Sequence, residues 1–350
     1  MKSSSVPIID LSAFSGGVGG DNGTAAEEQK KVAIQLRNAC EHVGFFYITG
    51  HGCDEKVMDT MSDHTSKFFD MPAEDKIKLE ARNNPLWRGY NSVETGAHSC
   101  TPEDAAENPP DLKESFTIGA ESTPSAKSPM HGPNQWPDET NNGSSLKGFE
   151  AAARLYWESL SDIVGTRLMQ ALAMSLDLPP DFFTSKAQRK PHSQMVLLRY
   201  PPTAPASENS EGLEVRRADG SWMSAAPLKD NKHAFVVNLG DMMKYWTNDR
   251  YQSTEHRVTN PSSTNTRHSI PFFLAVDYDT KVETIASCRD YRGGEVYDPC
   301  QSGEYILGKL GLMHLAKTGK SSDEEDSDDG KAKNPDAKKR KVANEVEAVA

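Results

Sequence analysis

Residues 234–273 constrain the fold of this chain more than any other stretch, because three candidate strands lie close together there. A short apolar run, Phe235 to Leu239, is ended by a Gly-Asp pair and is typical of a buried strand. Two further strands are predicted over Gln252–Thr259 and His268–Val276, separated by a turn at Asn260-Pro261. The stretch therefore predicts part of a β-sheet.

Two side chains in this stretch can take part in chemistry. His256 lies inside the second predicted strand, and Arg267 opens the third. A neutral imidazole can ligate a metal ion, and a guanidinium can hold a carboxylate with two parallel hydrogen bonds. The pair indicates a candidate site for a metal ion together with an organic acid.

Four motifs of this region resemble the C-terminal half of the Fe(II)- and 2-oxoglutarate-dependent dioxygenases, in the branch similar to isopenicillin N synthase. The motifs are Asn238-Leu-Gly-Asp241, Trp246-Thr-Asn248, Ser253-Thr-Glu-His256-Arg-Val258 and Arg267-His-Ser269-Ile-Pro-Phe-Phe273. The resemblance implies a mainly β fold with flanking helices, a double-stranded β-helix or jelly roll. It also implies an oxidoreductase that couples oxidative decarboxylation of 2-oxoglutarate to hydroxylation or desaturation of a small organic substrate.

The resemblance also implies a role for particular residues. It implies His256 as the distal ligand of Fe(II), and Arg267 with Ser269 as the pair that binds the C5 carboxylate of 2-oxoglutarate. By similarity to the family's Tyr-Pro motif, Tyr200 is a candidate second contact to this cosubstrate. The branch often has a cosubstrate-binding Asn two residues before that Tyr, and this chain has Leu198 there.

The chain departs from the family pattern directly after Pro202. The family places a His-x-Asp strand and a second strand there, whereas this chain passes through a short polar segment to Glu211-Gly-Leu. None of the ten histidines is followed two positions later by Asp or Glu. Because a facial triad needs two His and one carboxylate, we expect an incomplete iron site and a jelly roll with two strands deleted. Glu208 or Glu211 could replace the carboxylate, but a second His would still be needed.

Two functional hypotheses follow from this departure. The first is an Fe(II)/2-oxoglutarate oxidoreductase that is impaired in this chain. The second is a catalytically inactive pseudoenzyme, or truncated isoform, that keeps the fold and acts as a binding protein. The abrupt junction, with well-matched sequence on both sides, favours a skipped exon or a gene-prediction error over gradual decay, and the sequence leaves a real isoform open.

The rest of the chain divides into three parts. Residues 1–120 resemble the family's N-terminal region, with a predicted strand near Ile8, a helix, a buried strand over Phe45–Ile48 and a helix capped by Asp54. Residues 121–318 hold the jelly-roll domain with its helices, including a long helical pattern over Ser144–Leu178, a hairpin turn at Asp219-Gly220, and residues 278–283 as the end of the sheet. His51 is interpreted as a loop histidine that bonds locally, because no carboxylate or second His stands at ligand spacing. Residues 319–350 form a tail.

Charge and cysteine content limit the class of protein. A net charge of −12 argues against general nucleic-acid binding. Five cysteines without a Cys-x-x-Cys motif argue for a reducing compartment, cytoplasmic or nuclear, and against a disulfide scaffold. No apolar run approaches the length of a membrane-spanning helix, so no membrane partner is expected.

The tail combines opposite charge blocks without aromatic residues. Six acidic residues lie between Asp323 and Asp329, and a basic cluster follows at Lys338, Lys339, Arg340 and Lys341. Such a segment cannot bury enough apolar surface to fold, so we predict disorder. The basic cluster resembles a monopartite nuclear import signal, which would bind an import receptor; the alternative is a solvated basic run without that role.

A reporter fusion tests the import prediction. Residues 320–350 fused to a protein too large for passive diffusion should accumulate in nuclei. The matched control carries glutamine at all four basic positions, Lys338 to Lys341, and should stay in the cytoplasm. Equal distribution of the unmodified fusion between the two compartments would remove the prediction.

Overall fold

The computed structural model describes residues 5–17, 23–93, 113–121, 129–140, 146–188, 191–202, 212–258 and 266–311. Four predicted features lie outside these residues: the tail with its basic cluster, the junction over 203–211, the two carboxylates Glu208 and Glu211, and the turn at Asn260-Pro261. No helix among the described ranges combines the length and the apolar character that crossing a membrane requires.

The elements are short strands interspersed with helices. The strands are β1 Ile8–Asp10, β2 Phe45–Thr49, β3 Gly89–Asn91, β4 Glu114–Gly119, β5 Gln194–Tyr200, β6 Leu213–Arg216, β7 Trp222–Ser224, β8 Phe235–Asn238, β9 His256–Val258, β10 Arg267–Ser269, β11 Phe272–Phe273, β12 Lys281–Val282 and β13 Cys300–Gln301. The α-helices are α1 Gly23–His42, α2 Glu55–Phe69, α3 Ala73–Ile77, α4 Phe149–Glu158, α5 Thr166–Ser175, α6 Asp241–Trp246 and α7 Ser302–Lys309. Short 3-10 helices span Ser12–Phe14, Ala81–Asn83, Thr184–Lys186 and Ala286–Arg292.

The strands pair into four sheets within the described residues. Their orders are β1-β2-β8, β3-β4-β5-β10 with β11 also on β5, β7-β6-β9, and β12-β13. Among these described strands, only β1 and β2 pair in parallel. In the part of the chain that the structure describes, β8, β9 and β10 each pair with a neighbour on one side only. Each therefore presents one edge whose backbone groups find no strand partner among these elements.

Two of these sheets pack face to face. Phe45 and Tyr47 of β2 share one buried cluster with Leu213 and Val215 of β6. The intervening β2 residues point the other way, because side chains alternate along a strand. They join the larger core formed with the helices. The result is a β-sandwich interior on one side of β2 and a helix-covered face on the other, so the prediction of sheets with flanking helices is confirmed.

The predicted strands around His256 and Arg267 are longer than the observed ones. Residues before His256 bond to the end of α1 instead of to a strand: the Gln252 amide donates to the Cys40 carbonyl at 2.9 Å, and the Thr254 hydroxyl donates to the Val43 carbonyl at 2.6 Å. Pro271, which has no N–H, separates β10 from β11. Strand propensity alone does not reveal these competing partners.

Two other predicted elements also need correction. The helical pattern over Ser144–Leu178 is not one uniform helix, since a π-helical turn at Ser159–Gly165 joins α4 to α5. Residues 278–283, which we expected to end the main sheet, contribute instead to β12, and this strand pairs with β13 in a separate two-stranded sheet.

A buried ionic network ties the helix-covered face of the β3-β4-β5-β10 sheet to α3. Glu114 of β4 accepts from Lys76 Nζ at 3.1 Å, forms an ion pair with Arg199 Nε at 3.2 Å, and accepts from the Tyr90 hydroxyl at 3.1 Å. The side chains of Lys76 and Glu114 are only 4% and 13% exposed. Glu114 and Arg199 are also register partners. The network therefore fixes β4 and β5 relative to α3.

Substitution at Glu114 tests this network. Glu114→Gln leaves the buried Lys76 ammonium without its carboxylate, whereas Arg199 keeps its ion pair with Asp70 at 3.3 Å. Breaking a buried pair costs about 3–5 kcal/mol of unfolding free energy. The control is Glu27→Gln, because the Glu27–Lys30 pair is exposed and should contribute less than about 1 kcal/mol. Urea denaturation measures both values. Equal loss in the two variants would show that the network does not support the fold.

Candidate functional site

The pairing of β5 with β10 brings the predicted cosubstrate residues together. Arg267 lies directly opposite Tyr200, and Ser269 lies opposite Leu198. Residues opposite each other in an antiparallel pair point to the same face, and so do residues two apart in one strand. Arg267, Ser269, Tyr200 and Leu198 therefore line one face of the sheet.

The guanidinium of Arg267 is placed to receive an anion. Its Cζ lies 5.0 Å from the centre of the Tyr200 ring. Its Nη1 is buried and has no hydrogen-bond partner within the described part of the chain. A buried donor that lacks a partner is costly, and a carboxylate is the group that matches a guanidinium best. These residues fit one carboxylate of 2-oxoglutarate, and their cosubstrate role remains a prediction.

Gly212 closes one side of this site. A Cβ atom at this position would lie 3.1 Å from Arg267 Nε, and the residue has a φ of +94°, which favours glycine. The absence of a side chain at Gly212 therefore lets the backbone before β6 approach the guanidinium.

His256 points into the sandwich interior. Its register partner is Val215, which is buried, and the next interior pair along the two strands is Val258 with Leu213. The imidazole packs edge-on against Phe45 with ring centres 5.2 Å apart. Its Nδ1 lies 3.1 Å from the Thr254 carbonyl, which can only accept, so this nitrogen carries the hydrogen and Nε2 carries the lone pair.

His256 and Arg267 both adjoin β6. Arg267 contacts the backbone at Gly212, and His256 pairs with Val215 three residues later. Three residues of strand correspond to about 10 Å. The structure thus brings the candidate metal ligand and the candidate carboxylate clamp into one region, as the motifs predict.

The described residues do not supply the rest of an iron site. Among them, no three His, Cys, Asp or Glu side chains form a group that could hold a metal ion. His256 is therefore not accompanied by two further ligands from residues 5–17, 23–93, 113–121, 129–140, 146–188, 191–202, 212–258 or 266–311. The clamp fits 2-oxoglutarate, whereas these residues do not fit Fe(II).

Two other histidines do not join the site. His51 bonds within its loop, as predicted, because its Nδ1 accepts from the Cys53 amide at 3.2 Å. Its Nε2 lies 2.8 Å from the carbonyl of His233, which is distant in sequence, its ring packs against Phe235, and burial lowers its pKa. His268 lies between Arg267 and Ser269 but points to the opposite face. There it stacks on Phe69, and burial followed by the charge of Arg199 lowers its pKa.

Asn238 is a polar residue of the interior to which the sequence analysis gave no role. Its Oδ1 is buried without a hydrogen-bond partner in the described ranges. Its register partner is Phe45, the residue that contacts the His256 ring. The Asn-Leu-Gly-Asp motif was the available signal, but a strand motif does not reveal which side chain faces the interior.

Comparison with known proteins identifies the family. The family described as "non-haem dioxygenase in morphine synthesis N-terminal" matches residues 6–139, and the 2OG-Fe(II) oxygenase superfamily matches residues 190–276. A 2-oxoglutarate-dependent dioxygenase of Trichoderma harzianum is 31% identical over 291 residues, covering 77% of this chain and 84% of that protein. A homoarginine-6-hydroxylase of Oryza sativa subsp. japonica is 29% identical over 334 residues, covering 87% of this chain and 96% of that protein.

Solved structures show the same fold. A full-length Neurospora crassa protein in complex with alpha-KG superposes with a TM-score of 0.72 at 23% identity, covering 89% of this chain and 97% of that one. A 2OG-Fe(II) oxygenase family protein from Caulobacter crescentus gives a TM-score of 0.71 at 24% identity, covering 88% and 99% of the two chains. This chain belongs to the 2OG-Fe(II) oxygenase superfamily, whose cofactors are Fe(II) and 2-oxoglutarate, and it has the superfamily's jelly-roll fold.

Proposed function

We propose that this chain is an impaired member of the 2-oxoglutarate-dependent oxidoreductases for small organic substrates, which retains the cosubstrate clamp but lacks a working iron site. One observation carries the proposal: Arg267 Nη1 is buried without a partner among the described residues, and these residues contain no group of three metal ligands. In a complete member, bound Fe(II) and 2-oxoglutarate together supply the oxidising power. The residues of this chain bind and orient the cosubstrate.

Relatives and structural neighbours support a small organic substrate. By their names, several relatives hydroxylate homoarginine, and solved neighbours include a dioxygenase for auxin oxidation and the Neurospora crassa protein in complex with alpha-KG and thymine. The substrates of these proteins differ although the fold is shared, because each substrate is recognised by side chains added to a common scaffold. We therefore propose the substrate class and no single compound.

The loss of a segment after Pro202 is proposed from the sequence, in which a short polar segment leads directly to Glu211-Gly-Leu. The alignment with the rice relative spans 334 positions, whereas 87% of 350 residues is about 305, so that relative has positions without a counterpart in this chain. A gene-prediction error or a truncated isoform would each account for the proposed loss.

The second candidate function is that of a pseudoenzyme that binds a ligand without turnover. It is favoured by the same lack of a three-ligand group among the described residues.

For localisation, we propose the cytoplasm and the nucleus, with import through Lys338, Lys339, Arg340 and Lys341. The basic composition of that cluster supports the import proposal.

Turnover of 2-oxoglutarate tests the first proposal. The purified chain, supplied with Fe(II), ascorbate and 2-oxoglutarate, should release no succinate above a no-protein control, because His256 alone cannot hold iron usefully. The positive control is a version with a family-like His-x-Asp segment inserted after Pro202. Succinate release by the unmodified chain that disappears in His256→Ala would show that it completes an iron site by other means.

Thermal unfolding of the same two versions tests the strand loss. Unpaired strand edges and missing interior side chains lower stability, and each buried large apolar side chain contributes roughly 1.5–3 kcal/mol. Because the total free energy of unfolding of a protein is only about 5–15 kcal/mol, the loss of several such side chains would lower stability severely. The unmodified chain should therefore melt well below the version with the inserted segment. A cooperative transition at the same temperature in both would mean that the remaining strands tolerate the gap.

A further inference from the structure

In this chain the residues of the Arg267 clamp fit a carboxylate, whereas the described residues do not complete an iron site. We infer that the chain binds short-chain carboxylic acids at the Arg267 clamp without a metal ion, and that it does not favour a 2-oxo acid over the same acid lacking the oxo group. This inference rests on the proposed function, because it concerns the same pocket. According to this inference, the clamp recognises one carboxylate and its carbon chain, and not a metal-chelating group.

The electrostatics of the sheets single out Arg267. Other arginines on the same sheets have carboxylate partners: Arg199 pairs with Glu114 at 3.2 Å, Arg216 with Glu255 at 2.6 Å, and Arg257 with Glu214 at 2.7 Å. Arg267 instead has the Tyr200 ring at 5.0 Å and a buried Nη1 without a partner in the described part of the chain. A half-buried cation with an unused donor is completed by an external anion.

The shape of the donor set favours a carboxylate. A guanidinium offers parallel N–H groups that match the two oxygens of a carboxylate, and hydrogen bonds between charged partners are stronger than those between neutral ones. The Ser269 hydroxyl lies on the same face, two residues from Arg267, and can donate to the same ligand. Leu198, which is buried opposite Ser269, offers an apolar surface to the methylene groups of an aliphatic acid.

The incomplete set of metal ligands around His256 explains why we expect no preference for a 2-oxo acid. A 2-oxo acid gains affinity over a simple acid only when a metal ion is chelated by its oxo and carboxylate oxygens. His256, about 10 Å along β6 from the clamp, has no two further ligands among the described residues. Without chelation, the oxo group gives no advantage, and glutarate and 2-oxoglutarate present the same terminal carboxylate to Arg267.

Calorimetric titration of the full chain tests the inference, with 2-oxoglutarate and glutarate as probes in EDTA. The two dissociation constants should agree within about threefold, a small difference on the affinity scale. They should stay unchanged when EDTA is replaced by Mn(II), a redox-inert substitute for Fe(II). Arg267→Gln should weaken both by at least about tenfold. The matched control is Arg257→Gln, because Arg257 lies on β9 beside His256 but pairs with Glu214 on the outer face.

Two results would contradict the inference, and they differ in what else they overturn. Binding of 2-oxoglutarate that requires Mn(II), or that is more than about tenfold tighter than glutarate binding, would overturn the inference and also the proposed loss of the iron site. Absence of binding by both acids would overturn the inference and the proposal that the clamp is retained, but it would leave the proposed loss of the iron site standing. If Arg267→Gln fails to fold, Ser269→Ala and competition between the two acids on the unmodified chain supply the same test.

Discussion

The antiparallel pairing of β5 with β10 is the interaction on which the candidate site depends. It sets Arg267 against Tyr200 and Ser269 against Leu198. A slip of one residue would turn Arg267 to the helix-covered face, because strand side chains alternate with a period of two. The opposite face resists such a slip: Arg199 is bound to Glu114 and His268 stacks on Phe69. The His268–Phe69 contact behind the sheet thus resists a slip of β10, while the ionic network holds β5, the partner strand of β10, in place.

The two halves of the site depend on different parts of the chain, which explains how one can persist without the other. The clamp is built from two paired strands and the glycine before β6, all of which lie within the described residues. An iron site of this family needs His256 together with a His-x-Asp pair from a strand that follows the position of Pro202 in the family. Under the proposed function, loss of that segment would remove metal ligands without displacing Arg267, Ser269 or Tyr200.

Local sequence signals predicted several features well. The apolar run Phe45–Ile48 forms a buried strand, and Asp54 caps α2 by accepting from the Lys56 amide at 2.7 Å. The Asp219-Gly220 turn joins β6 to β7, with Gly220 at a φ of +84°. The family motifs also predicted correctly that Arg267 and Tyr200 would lie together. In each case the signal lies within a few residues or in a motif with fixed spacing.

Features that depend on distant partners were not predictable in the same way. The strand before His256 is shortened because the end of α1 binds its backbone, and these partners are far apart in sequence. The π-helical turn between α4 and α5 has the same apolar periodicity as a regular helix. The burial of Asn238 Oδ1 and of Arg267 Nη1 follows from how the sheets pack. Patterns along the chain specify the elements, whereas these details arise from contacts between them.

The most direct test of the central claim is the metal stoichiometry of the purified full chain. After anaerobic equilibration with Fe(II) and 2-oxoglutarate and removal of unbound metal, elemental analysis measures iron bound per chain. The account predicts iron well below one per chain, with no difference between the unmodified protein and His256→Ala. One iron per chain, lost in His256→Ala, would contradict it, because it would show that His256 belongs to a complete metal site.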